Sequence, residues 1–442
     1  MLKYISEGEG SPGATGRLLR AAAAFTAVAV ASTVALSATA AVSPGKLVHP
    51  ERFSAGRGGG ASKVAPAQLW RAKGVGLHHQ LASLQTRIQQ ANANQTVPFW
   101  TGQITSPLDG NTYTMAMVGS SPYNPANTVT PTVVSYLPII ARVHFEDGTV
   151  LDPTKPSCGD TVSVANRFWN SPLFTTNNVF SNGVHVGGGG INSQLIGAFQ
   201  RANFWSVVKG TNYGVYLKPA IAKPIIVDIF APDGNSSTFT NIPATCGNTT
   251  GSVTIGAIDI NAYDALVENV IHYYSGPTQL PILLTYNLVQ TEGGGCCVLG
   301  YHSAFAETTG TQTYAVGSYI DSGIFQNVDD TVIWSHEMSE WMDDPFVQYI
   351  QSIGVNDDLT PAWGNTGQVV GCQNNLETGD PLTGVAEFSI KGAGGFTYHF
   401  QDLAFHDWFY RTHSQGTGGK FSFQGVFTTD AGPLCTGASS GD

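Results

Sequence analysis

The sequence predicts an α+β protein, with a strand-rich N-terminal half and a C-terminal part in which a twisted mixed sheet packs on one helix. Composition predicts the strands and turns, since only 12% of the 442 residues are charged and 52 are glycine. Helices are predicted where apolar residues recur at three- and four-residue steps, most clearly in 256–275. The length allows one large domain or two, with ample core.

Residues 1–40 have the three parts of a secretory signal peptide. Three basic residues precede an alanine- and valine-rich run from Ala21 to Leu36, and a small-x-small cleavage site follows near Ala40. The alternative is an uncleaved anchor, because the apolar run is nearly long enough to span a bilayer. The sequence therefore predicts a secreted, extracellular protein with no membrane contact after cleavage.

Residues 41–96 are predicted to be a flexible leader or a propeptide. The first part of this segment is rich in Gly, Ala, Ser, Arg and Pro. One short amphipathic helix is predicted over 76–94, because four apolar residues recur there at helical steps, namely Leu77, Leu81, Leu84 and Ile88.

The strand-rich N-terminal half is assigned to residues 97–255. Apolar runs closed by turn residues predict strands at Val133–Phe145, Tyr213–Leu217 and Ile225–Phe230. A helix is predicted over Asn192–Trp205 from its apolar spacing. Whether this half is a separate domain or part of one large unit is left open.

The C-terminal part is assigned to residues 256–442. It begins with the helical segment 256–275, and strands are predicted at Pro281–Val289 and Thr313–Ile320. Gly293–His302 is predicted to be a cysteine-bearing turn. Tyr398–Arg411 is predicted to be an aromatic-rich amphipathic helix.

Six cysteines in a chain with a secretory signal predict up to three disulfides, with fifteen possible pairings. Cys296 and Cys297 are adjacent, and each is expected to bond to a different partner. A thiolate metal site is not predicted, because the chain has no C-x-x-C pair. The cysteines are Cys158, Cys246, Cys296, Cys297, Cys372 and Cys435.

The charge balance argues against nucleic acid as a partner. The formal net charge is −11 and the sequence pI is about 5.4, whereas a nucleic-acid-binding surface requires a basic patch. A serine hydrolase is also disfavoured, because the chain has no Gly-x-Ser-x-Gly elbow.

The segment Ser335–Pro345 carries the strongest chemical signal, the pattern H-E-x-x-E. A helix is predicted over Asp329–Met342, and on it His336 and Glu340 share one face and can bind one metal ion. Glu337 occupies the position of the base that deprotonates metal-bound water in metalloproteases. The alternative interpretation is a solvated acidic helix whose histidine has an ordinary hydrogen-bond partner.

A catalytic zinc usually has three protein ligands, so a further ligand is needed. Glu377 is the first candidate and Asp380 the second, about forty residues after the motif. Asp343 is a local alternative, at the helical position i+7 from the first ligand. Zn²⁺ is the expected metal, and the additional carboxylate makes Mn²⁺ or Ca²⁺ alternatives.

Four other side chains are candidates for supporting roles. His302, His399 and His406 are possible further ligands or donors to the transition state, although a structural role is the more common one for each. Tyr398 or His399 is a candidate for stabilising the oxyanion, on its sequence position alone.

Two segments resemble known families. Ser335–Pro345 followed by Glu377–Asp380 is similar to a group of secreted bacterial proteins with a Ser-His-Glu-x-x-Glu segment ending in Asp-Pro, and then Glu-x-Gly-Asp. Cys297–His302 resembles the Cys-Gly-Tyr/Phe-His stretch of the plant exordium (phosphate-induced) family. The similarity extends over residues 280–435. It implies a zincin-like scaffold, catalytic in some members and not in others.

These observations predict a secreted metal-dependent hydrolase, specifically a zincin-like peptidase that uses a metal-activated water on a peptide or protein substrate. The alternative is a non-catalytic extracellular or cell-wall-associated binding protein on a zincin-like scaffold, with wall polysaccharide as its partner. A low-charge, aromatic-rich surface would suit such a partner.

Overall fold

The computed structural model describes residues 96–176, 178, 194–292, 295–307, 309–347, 359–364, 372–392 and 395–435. The predicted signal peptide and the short helix at 76–94 lie outside the described residues. The described part is a mixed α+β structure rich in strands, which confirms the predicted fold class at that level.

The strands are β1 (Phe99–Thr105), β2 (Thr112–Val118), β3 (Thr132–His144), β4 (Val150–Leu151), β5 (Val215–Pro219), β6 (Ile225–Phe230), β7 (Ser236–Cys246), β8 (Thr249–Asp259), β9 (Gln279–Tyr286), β10 (Leu288–Glu292), β11 (Gly295–Val298), β12 (Gly300–Glu307), β13 (Gly310–Phe325), β14 (Val328–Asp330), β15 (Trp363–Gly364), β16 (Cys372–Gln373), β17 (Glu387–Lys391) and β18 (Thr397–Gln401). The α-helices are α1 (Val164–Trp169), α2 (Leu195–Asn203), α3 (Trp205–Val208), α4 (Ile260–Tyr274), α5 (Val332–Asp343) and α6 (His406–Tyr410).

An eight-stranded mixed sheet forms the centre of the molecule. Its order is β12-β13-β9-β3-β4, with β5 and β6 paired to β3 and β14 paired to β13. Strand β9 runs parallel to both β3 and β13, whereas β12 is antiparallel to β13. Strands from before and after position 255 therefore share one sheet.

The central sheet is buried on both faces. Alternate residues of its strands point to opposite sides, so each face contributes to a different core. On β3, Tyr136 and Ile140 join the core that includes Trp334 of α5. Their neighbours Leu137 and Ile139 join the core that includes Tyr263 of α4. Helix α5 thus packs on one face of a mixed sheet and α4 on the other.

The motif helix begins three residues later than predicted. Asp330 belongs to β14, and its carboxylate accepts hydrogen bonds from the backbone N–H of Thr331 and from the side chain of His399. Pairing with β13 therefore holds Asp330 outside the helix, which begins at Val332. The helix ends at Asp343, one residue after the predicted end, and Asp344 is the C-cap.

Several other predictions are confirmed with shifted ends. Strands occur at 132–144, 215–219, 225–230 and 310–325. The predicted helix Asn192–Trp205 is observed as α2 and α3. The predicted strand Pro281–Val289 is divided into β9 and β10 at Asn287, whose φ is 47°. The helix predicted within 256–275 begins at Ile260, because Asp259 caps it through the N–H groups of the next turn.

Two predicted elements are wrong. Gly293–His302 is not a turn in its described part, which forms β11 and the start of β12 paired to β10 and β13. Tyr398–Arg411 is not one helix, since Tyr398 and Phe400 bury one face of β18 against the core. Only His406–Tyr410 is helical. In both segments the partner strand, which local spacing cannot reveal, decided the conformation.

The described cysteines form three disulfides, Cys158–Cys246, Cys372–Cys435 and Cys296–Cys297. The presence of disulfides was predicted. The expectation that Cys296 and Cys297 bond to different partners was wrong, because the two adjacent residues bond to each other. Among the described residues no helix is long and apolar enough to cross a membrane.

Candidate metal centre

Helix α5 holds the H-E-x-x-E motif in the interior. All of its residues are buried, so the motif does not form a solvated acidic stripe. Strand β18 fixes the position of the helix, because the backbone N–H of Gln401 donates to Ser335 Oγ over 2.9 Å. One turn separates His336 from Glu340, and His336 Nε2 lies 3.0 Å from Glu340 Oε2.

The hydrogen bonds of Gln401 determine which nitrogen of His336 faces the carboxylates. The Gln401 amide nitrogen donates to the carbonyl oxygen of Gly379, so its amide oxygen must be the atom facing the imidazole. That oxygen lies 3.2 Å from His336 Nδ1, which therefore donates. Consequently Nε2 is the nitrogen directed at carboxylates, at 3.0 Å from Glu340 and 3.6 Å from Asp380.

A second imidazole, that of His302 on β12, approaches from the edge of the sheet. His302 Nε2 lies 3.0 Å from the backbone carbonyl oxygen of Asp344, which can only accept, so Nε2 carries the hydrogen. The other nitrogen, Nδ1, lies 3.6 Å from Glu337 Oε2 and 3.8 Å from Glu340 Oε2. Gly300 makes this approach possible, because a Cβ there would lie 2.9 Å from Glu337 Cγ.

Glu340 is at the centre of the group. Its Oε1 accepts hydrogen bonds from the backbone N–H groups of Gly379 and Asp380, over 3.0 and 3.1 Å. Its Oε2 faces both imidazoles. Position 379 requires glycine, because a Cβ there would lie 2.5 Å from His336 Nδ1. The Glu-x-Gly-Asp segment therefore folds directly over the helix.

Both predicted additional ligands reach the motif. Ligand atoms of Glu377, His302 and Glu340 lie within 4.8 Å of one another, and the Glu377 carboxyl is in hydrogen-bonding contact with that of Glu340. Asp380 Oδ1 faces His336 Nε2, and the other oxygen of Asp380 accepts a hydrogen bond from Gln373 over 2.8 Å. We call the resulting set the acidic cluster; it comprises His302, His336, Glu337, Glu340, Glu377 and Asp380.

Burial and mutual repulsion shift the pKa values of the acidic cluster. Burial raises the pKa of Glu337, and burial together with the Glu340 charge raises that of Glu377 well above its usual range and that of Asp380 to about 7. Burial alone would lower the pKa of His336, but the Glu340 carboxylate outweighs it and raises that pKa well above the ordinary value. Burial thus favours the neutral form of these carboxyls, and ionisation of all four would place four negative charges beside two imidazoles.

A divalent cation fits this donor set. Each imidazole donates one N–H to a carbonyl oxygen and directs its other nitrogen at carboxylates. A cation or a proton must therefore lie between that nitrogen and the carboxylate oxygens. Among the described residues no lysine or arginine forms an ion pair with the four carboxylates. Imidazole and carboxylate together suit Zn²⁺ and Mn²⁺.

Other sequence candidates lie outside the acidic cluster. The Asp343 carboxylate accepts hydrogen bonds from Gln200 and Asn203 of α2, so the structure does not bring it to the other ligands. His406 Nδ1 is bonded to Asn203. His399 is bonded to Asp330.

The hydroxyl of Tyr398, the other candidate for the oxyanion, donates to the carbonyl oxygen of Arg167 over 3.0 Å. It therefore has a partner within the fold.

Sequence reasoning missed the residues that orient the ligands. Gln401 lay in a segment predicted to be helical, and Gln373 and Thr383 carried no motif. Thr383 Oγ1 lies 3.3 Å from His336 Nδ1, a second oxygen beside that nitrogen. Gln401 and Thr383 reach His336 across 65 and 47 positions, so local sequence could not indicate their roles. Gln373 lies only 7 positions from Asp380, but no motif marks that contact.

Comparison with protein-family models, with curated proteins and with solved structures finds no match to this chain. The site must therefore be interpreted from its own chemistry.

Proposed function

We propose that this protein is a secreted metal-dependent hydrolase, a peptidase on a zincin-like scaffold. The observation that carries the proposal is the convergence of the H-E-x-x-E helix with Glu377 and Asp380, two acids nearly forty residues further along the chain. His336 and Glu340 hold the metal, and Glu377 and Asp380 complete its ligands. Zn²⁺ or Mn²⁺ suits this mixture of nitrogen and oxygen better than Ca²⁺, which prefers oxygen alone.

Glu337 is the proposed general base. When bound, a divalent ion in such a site acidifies a water molecule and polarises a carbonyl. Glu337 follows His336 directly, is 5% exposed, and places Oε2 3.6 Å from His302 Nδ1. Because burial raises its pKa, this carboxylate is a better proton acceptor than an exposed glutamate. It would take the proton of the attacking water and pass it to the leaving amine.

The surroundings support a zincin-like scaffold and an extracellular location. Helix α5 packs on a mixed sheet whose edge strand β12 carries His302. Three disulfides suit an oxidising compartment, in keeping with the predicted signal peptide. The expected substrates are peptides or proteins.

The decisive experiment compares the secreted wild-type protein with Glu337→Gln. We expect hydrolysis of a peptide library to fall by about 10²–10⁴-fold in the variant while the metal content stays the same, because the variant loses the base and keeps the ligands. Glu268→Gln, at a half-buried glutamate on α4, is the matched control and should retain activity. Equal activity of wild type and Glu337→Gln would refute the peptidase proposal.

A non-catalytic wall-binding protein is the second candidate, and one cavity favours it. A space of about 330 Å³ is lined by Trp100 and Tyr123 together with the polar side chains of Gln103, Thr412 and Gln415. Trp100 Nε1 is buried and has no hydrogen-bond partner among the described residues. Aromatic faces beside amide and hydroxyl groups are suited to a sugar ring.

Retention on insoluble cell-wall polysaccharide tests this candidate. We expect wild-type protein to be retained and Gln103→Ala to be retained less. Gln326→Ala, at an exposed glutamine between β13 and β14, is the control. Passage of the wild-type protein without retention would exclude the wall-binding function and leave the peptidase proposal unaffected.

A further inference from the structure

The acidic cluster contains two overlapping groups of ligands. In one group the ligand atoms of His302, Glu340 and Glu377 lie within 4.8 Å of one another, and in the other those of His336, Glu337 and Glu340 do so. Asp380 adds a carboxylate oxygen 3.6 Å from His336 Nε2. Glu340 belongs to both groups.

The two imidazoles approach the same oxygen of Glu340. His336 Nε2 lies 3.0 Å and His302 Nδ1 3.8 Å from Oε2, while Oε1 is held by the backbone N–H groups of Gly379 and Asp380. A carboxylate that is fixed through one oxygen and has two imidazoles facing the other can bridge two ions. Bridged pairs of this kind have ions about 3.5–4 Å apart.

The charge of the four carboxylates also favours two ions. Four carboxylates, those of Glu337, Glu340, Glu377 and Asp380, surround two imidazoles whose remaining nitrogens donate to neutral carbonyl oxygens. With all four ionised, a single divalent ion would leave two negative charges in a site where each of the three glutamates is at most 8% exposed. Uncompensated buried charge costs several kcal/mol, so a second divalent ion stabilises the ionised cluster.

We propose that the acidic cluster is a dinuclear metal centre bridged by Glu340. One ion is held by His336, Glu340 and Asp380, and the other by His302, Glu340 and Glu377. This inference rests on the proposed metal binding at His336 and Glu340, and it leaves Glu337 as the base. Carboxylate-rich ligand sets with one imidazole per ion suit Mn²⁺, which is also the most informative probe.

Mn²⁺ titration of the secreted chain, followed by elemental analysis and electron paramagnetic resonance, tests the proposal. We expect two Mn²⁺ per chain at saturation and the spectrum of an exchange-coupled pair. His302→Gln should bind one Mn²⁺ fewer and show the hyperfine pattern of an isolated ion. Circular dichroism of the metal-free proteins checks that the variant is folded. If the variant does not fold, the electron paramagnetic resonance spectrum of the wild type still distinguishes a coupled pair from a single ion.

The remaining outcomes contradict the proposal in distinguishable ways. One isolated ion in the wild type, lost equally in His302→Gln and His336→Gln, would mean a single ion shared by both imidazoles. Two uncoupled ions, one of which is lost in Glu387→Gln, would place the second ion at the separate group of Asp329, Glu387 and His399. Absence of any bound Mn²⁺ or Zn²⁺ would overturn the proposed hydrolase as well.

Discussion

Helix α5 carries buried acids on two sides, and the two sides satisfy them differently. Asp343 is fully buried, and each of its oxygens accepts a hydrogen bond from a neutral amide, Gln200 at 2.9 Å and Asn203 at 3.1 Å. Glu340, one turn before it, receives two backbone N–H groups on one oxygen but faces imidazole nitrogens and other carboxylates with the second.

The two acids differ in the number of hydrogen-bond donors around them. The donors of α2 meet the needs of Asp343, although burial raises its pKa to about 8. In the acidic cluster the protein supplies more acceptors than donors, and each imidazole directs at the carboxylates the nitrogen that does not donate to a carbonyl oxygen. Burial of a carboxylate is therefore compatible with a structural role, whereas a shortage of donors around it leaves its charge to be compensated by a cation or a proton.

The largest expected effect comes from removing the Asp343 carboxylate, whose hydrogen bonds are provided by α2. Asp343→Ala removes the acceptor of two buried amides and leaves a cavity, so we expect the free energy of unfolding to fall by about 3–5 kcal/mol. The metal content should not change. Urea denaturation and elemental analysis measure the two quantities, with Asp343→Asn as the milder comparison. Metal loss at unchanged stability would instead identify Asp343 as a ligand.

Metal removal should affect only the side of α5 that carries Glu340. With free metal at a hundred times its Kd, the wild type should gain about 2.7 kcal/mol of stability, which a chelator removes. Asp343→Asn should show the same chelator-dependent drop in melting temperature, and Glu340→Gln should show none. A wild-type melting curve unaffected by both metal and chelator would contradict metal binding.

A smaller effect is expected from the glutamines that contact His336 on one side of α5 and Asp343 on the other. Gln401→Leu removes the acceptor of His336 Nδ1–H, and we expect metal affinity to fall about 10–100-fold. Gln200→Leu is the matched control, because it removes one donor to Asp343 and should lower stability without changing metal affinity. Calorimetric titration gives both affinities. Equal affinities in the two variants would show that Gln401 does not orient the ligand.

The smallest effect concerns a third acid, Asp330, which has an imidazole as its partner. The hydrogen bond and charge of Asp330 raise the pKa of His399 from 6.5 to about 9, although burial opposes the shift. Because the folded pKa is raised, the stabilisation is fully present below pH 6.5 and is lost as the pH rises through about 9. With chelator present, we expect a loss of about 1–2 kcal/mol over this range.

The control for the pH experiment is His399→Gln, which cannot titrate. Its free energy of unfolding should lack the part of the pH dependence between 6.5 and 9 that distinguishes the wild type. Parallel pH profiles of the two proteins would show that the Asp330–His399 pair does not contribute.

Much of the candidate site could be predicted because helical geometry is local. The spacing of His336, Glu337 and Glu340 defines one helical face wherever the helix lies. The same spacing placed Asp343 on that face as an alternative ligand, and the structure brings it to α2 instead. Local geometry indicates which residues can share a face, but it does not identify what packs against that face.

The elements of the fold also divide into those that local sequence predicted and those that distant contacts decided. Strands with strong apolar runs, such as Ile225–Phe230, were predicted within a few residues. The segments at 295–302 and 397–401 were misassigned because pairing with distant strands overrode their local pattern.

The sequence by itself determined the chemical elements of this protein: an imidazole and two carboxylates on one helix, further acids downstream, cysteines able to form disulfides, and enough β-forming residues for a large sheet. Only the tertiary structure decided that His302 on β12 meets Glu340, that Gln401 orients the His336 ring, and that Asp343 contacts α2 instead of the acidic cluster. The physical reason is that these contacts join residues far apart in sequence, and strand pairing and packing determine them rather than any local preference.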